Sequence, residues 1–168
     1  MVTALDLAQR YIAAVEEGDL DTVAATLSDD VVQFFMHSRR TTTAKGVARI
    51  GAGDQGRAFN IAELRDKTEV LAYTKVLIAK FDPLVWRDHV WNEADGAVWF
   101  HGKGDMVTTR SGRAYRNEYV TRFDVKNGKI VRLVEYADGT RYLALRIPPS
   151  RAEARALVRA LGNLRPKF

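Results

Sequence analysis

The chain has 168 residues, of which 46% are apolar and 28% charged, and it carries a net charge of +5 and no cysteine. This composition suits one folded domain with its own core and excludes a disordered tail or a membrane protein, since no apolar run approaches the length of a transmembrane span. Disulfides and thiol chemistry are excluded as well. The first six residues lack the pattern of a signal peptide, so a cytoplasmic location is expected.

The positive charge is concentrated at one end of the chain. Residues 146–168 contain six basic side chains and one acidic side chain, which accounts for the whole net charge of +5. A solvated helix face is the commoner explanation of such a tail than a nucleic-acid interface. We therefore expect neither a nucleic-acid partner nor a membrane.

Helical spacing predicts two helices at the start of the chain. Gly18 ends the first, and Asp19 caps the second. The apolar positions that indicate the first helix are Leu5, Ala8, Ile12 and Val15. Residues 31–36 then predict a buried strand. The next segment, 38–60, is polar, basic and glycine-containing, and loops of this length are usually functional, so we interpret it as a flap over a binding pocket.

The pattern changes from helix to strand in the second half of the chain. Residues 62–80 predict a third helix that stops before Pro83, and 84–92 predict a strand. Apolar and polar residues then alternate over 98–142, as in a meander of antiparallel strands. Tight turns are predicted at Asp95-Gly96, Ser111-Gly112 and Asn127-Gly128. Helices followed by antiparallel strands predict an α+β fold.

Five segments carry a pattern that extends beyond secondary structure. They are 9–21 (QRYIAAVEEGDLD), 28–32 (SDDVV), 112–119 (GRAYRNEY), 127–131 (NGKIV) and 135–138 (EYAD). Together they resemble the SnoaL-like branch of the nuclear transport factor 2 superfold, which includes polyketide cyclases, ketosteroid isomerase relatives and limonene epoxide hydrolase. The resemblance implies a single cone-shaped domain over 1–147, in which a strongly curved antiparallel sheet wraps around three N-terminal helices. A basic C-terminal helical tail over 148–168 would follow it.

The resemblance also implies a function. We expect a cofactor-independent acid/base enzyme that acts on a small, largely apolar or polyketide-like metabolite, as a cyclase, an isomerase or an epoxide hydrolase. The alternative is a non-catalytic module that binds a small molecule or a protein partner on the same fold. A homodimer is expected, because members of this superfold commonly pair through the outer face of the sheet.

Three residues are expected to carry the reaction. In limonene epoxide hydrolase, an Arg-x-Asp pattern on the long strand and an Asp near the end of the last strand point into the pocket. Lys103, Asp105 and Glu135 stand close to those places, so the resemblance implies an acid and a base with a cation between them. Side-chain alternation alone leaves open which strand face is concave, and the sequence does not assign which carboxyl group is the acid.

Six further residues are expected to bind the substrate, by the same resemblance and by strand alternation. They are Tyr11, Phe35, Trp99, His101, Asn117 and Tyr119. Tyr11 matches the oxyanion-donating tyrosine of ketosteroid isomerase, whereas Phe35 falls where that enzyme has its catalytic aspartate. Trp99 and His101 share a strand face with Asp105.

Two patterns that could indicate a cofactor or a metal do not support one. Residues 51–56 match the dinucleotide fingerprint G-x-G-x-x-G, but that fingerprint needs a preceding strand in a parallel βαβ unit, and the sheet expected here is antiparallel. The histidines His37, His89 and His101 lack the spacing of metal ligands. No cofactor and no metal are predicted.

Overall fold

The computed structural model of the protein describes residues 2–35 and 63–139, together with positions 141, 145, 155 and 158. This part of the chain contains three helices and six strands. Their bounds are α1 (Ala4–Glu17), α2 (Leu20–Thr26), β1 (Leu27–Phe35), β2 (Glu63–Arg65), α3 (Lys67–Lys80), β3 (Trp86–Ala94), β4 (Ala97–Val107), β5 (Ala114–Lys126) and β6 (Lys129–Ala137). The predicted flap over 38–60, with its glycine motif, and nearly all of the tail over 148–168 lie outside the described residues.

Capping residues set the bounds of the first two helices. Thr3 and Asp6 form a capping box at the start of α1, in which each side chain accepts a hydrogen bond from the other residue's backbone N–H. Gly18 ends α1 in the left-handed conformation, with φ of 73°. The Asp19 carboxylate then caps α2. The two predicted helices and their boundary are therefore confirmed.

The third helix begins later than the sequence predicts. Residues 63–65 form the short strand β2, which pairs antiparallel with β1 at the edge of the sheet. Asp66 turns the chain with φ of 74°, and its carboxylate accepts a hydrogen bond from the backbone N–H of Glu69. This cap starts α3 at Lys67, whereas helical spacing predicts a start near residue 62.

The strands form one open, curved sheet in the order β2-β1-β6-β5-β4-β3. All neighbouring strands are antiparallel except β1 and β6, which are parallel. The prediction of an antiparallel sheet is wrong at this pair alone, where β6 returns to β1 after a long excursion that includes α3 and four strands. The α+β class and the cone-shaped architecture are confirmed.

Two of the predicted turns are tight hairpins. Asp95-Gly96 and Asn127-Gly128 both have positive φ at each residue, which is the conformation of a type I′ turn. The Ser111-Gly112 pair lies in a longer turn between β4 and β5, where Gly112 has φ of 63°. None of the described helices combines the length and the apolar character that a membrane span requires.

Burial shows which side of the sheet faces the helices, and we call this side the core face. On β4 the buried positions are Val98, Phe100, Gly102, Gly104 and Met106. On β5 they are Tyr115, Asn117, Tyr119, Thr121 and Phe123. Because side chains alternate along a strand, the intervening residues, including Lys103 and Asp105, belong to the opposite side, the outer face.

Gly104 makes room on the core face for an aromatic ring. A Cβ atom at this position would lie 2.9 Å from Cε2 of Tyr119. We expect Gly104→Ala to lower the free energy of unfolding by about 1–3 kcal/mol, because the ring is buried and must be displaced. Urea unfolding checks this, with Lys103→Ala on the outer face of the same strand as the control. Equal midpoints for the two variants would contradict the packing argument.

Candidate functional site

A carboxyl group lies on the core face near the end of β6. Glu135 sits between Phe35 of β1 and Thr121 of β5 in the sheet register. The side chain is half-buried, and within the described residues its carboxyl group has no hydrogen-bond or ion-pair partner. Burial raises the pKa of Glu135 to about 7. Such a group can accept or release a proton near neutral pH.

Three tyrosines lie close enough to this carboxyl group for its charge to affect their hydroxyls. Tyr11 comes from α1, and Tyr115 and Tyr119 come from β5. Burial raises the pKa of each hydroxyl, and the negative charge of Glu135 raises each pKa further. The hydroxyls of Tyr115 and Tyr119 hydrogen-bond each other, and that of Tyr11 interacts with the side chain of Thr74. All three are therefore neutral hydrogen-bond donors at physiological pH.

Asn117 supports this cluster from the next core-face position on β5. Its Nδ2 donates hydrogen bonds to the hydroxyl of Tyr115 at 2.8 Å and to the backbone carbonyl of Asp138 at 3.1 Å. Its Oδ1 accepts from the backbone N–H of Glu118 at 2.9 Å. Since both ends of the amide are engaged, this geometry favours a positioning role for Asn117 over the predicted direct contact with substrate.

Aromatic side chains form the apolar part of the site. The ring of Phe35 packs against that of Tyr73, with 4.9 Å between the centroids. Tyr11 contacts Phe123 edge to face, at 5.7 Å. Phe35 is the register neighbour of Glu135 on β1, and burial is the physical cause of the raised pKa of Glu135.

Three buried polar atoms have no hydrogen-bond partner in the described part of the chain. They are Ser28 Oγ, Gln33 Oε1 and Trp86 Nε1. Gln33 precedes Phe35 by two residues on β1 and so shares the core face with Glu135. A buried polar atom without a partner is uncommon and calls for an explanation, such as contact with a ligand.

Lys103 and Asp105 do not join Glu135, and the predicted catalytic trio is wrong in this respect. Asp105 lies on the outer face, where its carboxylate is 2.7 Å from Nε of Arg87 and 2.5 Å from Nη2 of Arg116. These contacts lower its pKa, the hydrogen bond from Arg87 having the largest effect. Lys103 pairs with Asp88 at 3.0 Å on the same face. Neighbouring residues of a strand point to opposite faces, so the core face of β4 carries Gly102 and Gly104 in place of Lys103 and Asp105.

The predicted substrate-binding residues divide between the two faces. Tyr11, Phe35 and Tyr119 lie near Glu135 on the core side, and their role in substrate binding stays a prediction. Trp99 and His101 lie on the outer face instead, where the ring of Trp99 stacks with the guanidinium of Arg122, 5.4 Å from the ring centroid. The expectation that these two residues line the pocket is wrong, because they follow the alternation of Lys103 and Asp105.

The structure adds three residues that the sequence analysis does not single out. Tyr115 and Thr121 lie on the core face of β5, and two-residue spacing from Asn117 and Tyr119 could have indicated both. Trp86 lies at the start of β3, where a register shift between Arg87 and Val90 interrupts simple alternation. Within the described ranges, no three His, Cys, Asp or Glu side chains come close enough together to hold a metal ion.

The fold is shared with known proteins at low sequence identity. A candidate isomerase from Bacillus subtilis is 16% identical, with a TM-score of 0.64, and the match covers 82% of this chain and 88% of that one. A candidate polyketide cyclase from Xanthomonas campestris pv. campestris is 20% identical, with a TM-score of 0.60 and coverages of 84% and 94%. An epoxide hydrolase of Mycobacterium tuberculosis, similar to limonene epoxide hydrolase, is 16% identical, with a TM-score of 0.57 and coverages of 87% and 96%.

These structural similarities show the fold alone. Among curated proteins, none matches this sequence. The family model of the SnoaL-like domain, however, matches residues 8–133, which is most of the chain. The protein therefore belongs to the SnoaL-like domain family and has the fold of nuclear transport factor 2-like proteins.

Proposed function

We propose that the protein is a cofactor-independent acid/base enzyme that removes a proton from the carbon next to a carbonyl group in a small, largely apolar substrate. The observation that carries this proposal is the Glu135 carboxyl group, which has no partner among the described residues and lies near three neutral tyrosine hydroxyls. An acid with a pKa of about 7 is present in both protonation states at neutral pH. It can therefore take up a proton and return it within one cycle.

The chemistry balances with these groups. The Glu135 carboxylate takes the proton, and the electron pair of the broken C–H bond moves onto the carbonyl oxygen. A tyrosine hydroxyl, with Tyr11 and Tyr119 as the candidates, donates a hydrogen bond to that oxygen as its charge develops. Return of the proton from Glu135 to another carbon of a conjugated enolate completes an isomerisation. In a cyclisation the enolate carbon bonds to a second carbonyl carbon, and Glu135 returns its proton to the alkoxide oxygen that forms. Neither route requires a redox cofactor.

Isomerase or cyclase chemistry fits the site better than epoxide hydrolysis. Opening an epoxide by general acid/base catalysis uses one acid for the epoxide oxygen and one base for the water. The acid expected on β4 is Asp105, which lies on the outer face between two arginines, while Gly102 and Gly104 occupy the core face. A single carboxyl group with phenolic donors is sufficient for proton abstraction next to a carbonyl.

Hydrogen-deuterium exchange tests the proposed reaction without knowledge of the natural substrate. A panel of one-ring and two-ring apolar ketones is incubated with the protein in D₂O, and exchange at the carbon next to the carbonyl is followed by NMR. We expect enzyme-dependent exchange for at least one ketone that binds. Binding of ketones without exchange would contradict the proposal and favour the alternative, a non-catalytic binding module.

We further propose that the outer face of the sheet forms a homodimer interface. Val90, Val120 and Tyr136 are 49%, 37% and 41% exposed, which is unusual for large apolar side chains. They are aligned with His101 in one cross-strand row over β3, β4, β5 and β6. A self-complementary apolar row on an open sheet suits a two-fold contact between copies.

A charge in the centre of this row should prevent pairing. We expect Val120→Asp to convert a dimer into a monomer, because a carboxylate would be buried without a partner in the contact. Sedimentation equilibrium measures the change. The control is Val2→Asp, since Val2 is 64% exposed but lies at the start of the chain, outside the row. A wild-type protein that sediments as a monomer would refute the dimer.

A further inference from the structure

Trp86 presents a buried hydrogen-bond donor to which no described residue supplies an acceptor. The residue is 8% exposed, and its indole Nε1 has no hydrogen-bond partner in the part of the chain that the structure describes. Buried tryptophan N–H groups usually find a partner, because leaving the donor unpaired costs free energy. An unpaired, fixed donor in a core is therefore a candidate contact for a ligand.

The backbone of Trp86 is held on both sides. Its N–H donates a hydrogen bond to Oε1 of Glu16, at the end of α1, with a distance of 2.6 Å. Its carbonyl oxygen lies 2.9 Å from Nε2 of His89. Between these contacts Asp88 has φ of 54°, and the register of β3 against β4 shifts. These contacts hold the backbone from which the indole ring projects.

The indole ring of Trp86 packs against an aromatic ring of the site around Glu135. It contacts Tyr119 edge to face, with 5.9 Å between the centroids, and Phe100 in the same manner at 6.3 Å. Tyr119 is one of the tyrosines whose pKa the charge of Glu135 raises. Trp86 is thus separated from the surroundings of the reactive carboxyl group by one aromatic ring. In the sheet register, Trp86 is level with Gly104 of β4 and Asn117 of β5. Asn117 lies two core-face positions along β5 from Thr121, the register neighbour of Glu135.

We infer that Trp86 is a specificity-determining residue whose Nε1–H donates a hydrogen bond to a ligand oxygen remote from the carbon at which Glu135 acts. The inference rests on the proposed function for the identity of the reacting carbon. It assigns the ligand to a narrower class, in which an apolar skeleton carries two separated oxygen functions, such as a diketone or a hydroxyketone. A single neutral N–H matches a carbonyl, ether or hydroxyl oxygen.

The test compares two ligands that differ by one oxygen atom. The probes are a decalindione and the matching decalone, which lacks the second carbonyl group. The protein is labelled with ¹⁵N-tryptophan, so that each of its three tryptophans gives one indole signal. Trp91→Phe and Trp99→Phe identify the Trp86 signal by elimination, and the test therefore does not depend on whether a Trp86 variant folds.

We expect the dione, but not the decalone, to move the Trp86 indole proton downfield, and to bind about tenfold more tightly. In Trp86→Phe the two ketones should bind equally. A Trp86 signal that neither ketone moves, or that both move alike, overturns the inference.

These outcomes are separable from the proposed reaction. Ketone exchange with an unmoved Trp86 signal leaves the proposed function standing and refutes the role of Trp86. A dione-specific shift of the Trp86 signal without ketone exchange supports the contact of Trp86 with the ligand and refutes the proposed reaction.

Discussion

Glu135→Gln is expected to lower the rate of ketone exchange by a factor of about 10²–10⁴, the usual contribution of a positioned general base. Glutamine keeps the size and polarity of the side chain but cannot accept the proton. Because the carboxyl group has no hydrogen-bond partner in the described residues, the substitution breaks no contact there that could move the fold. The rate in D₂O at saturating ketone is the measurement, and ketone affinity should change little.

Asp105→Asn provides a matched control for this loss. This substitution also replaces a carboxyl group by an amide, but on the opposite face of the sheet, where Arg87 and Arg116 form ion pairs with Asp105. The exchange rate of this variant should stay within about threefold of wild type, because Asp105 does not reach the core face. If exchange were lost in Asp105→Asn and kept in Glu135→Gln, the reaction would take place on the outer face, and the proposed site would be refuted.

Local features of the sequence predict local features of the fold. Gly18 and Asp19 define the junction of α1 and α2 because a left-handed residue and a capping carboxylate act within a few residues of their own position. Asn127-Gly128 sets a hairpin for the same reason. The parallel pairing of β1 with β6 joins segments about one hundred residues apart, and alternation within either strand carries no information on its direction.

The position of a site residue could be predicted where the residue that matches the family pattern also lies on the core face. Glu135 and Tyr119 meet this condition, and Lys103 and Asp105 do not. Both faces of β4 mix apolar with polar residues, so alternation could not choose between them. Gly104 has low strand propensity, yet its missing side chain leaves the space in which the Tyr119 ring lies. Contacts of this kind depend on packing between strands and have no signature in the sequence of one strand.

The stability of the protein is expected to fall as the pH rises through the titration range of Glu135. In the unfolded chain this group has its ordinary pKa of 4.5, and in the folded protein burial raises its pKa to about 7. Between these values the folded state binds more protons than the unfolded state, so the free energy of unfolding decreases with pH. At about 1.4 kcal/mol per pKa unit, the loss of stability is at most about 3.5 kcal/mol above pH 7, and partial solvent contact reduces it.

Glu135→Gln isolates this effect, because its side chain is neutral at every pH. We expect the variant and the wild type to be about equally stable near pH 4, and the variant to become the more stable protein as the pH rises to about 8. Urea unfolding across this range measures the difference in stability between variant and wild type, in which the titration of all other groups cancels.

The stability difference between Asp105→Asn and the wild type should change with pH in the opposite direction. The lowered pKa of Asp105 stabilises the wild type above its ordinary pKa of 3.8, and this stabilisation is lost as the pH falls through its folded value. A pH-independent difference for Glu135→Gln would mean that the carboxyl group is as well solvated in the folded protein as in the unfolded chain, and the site would then lack the feature on which its proposed chemistry depends.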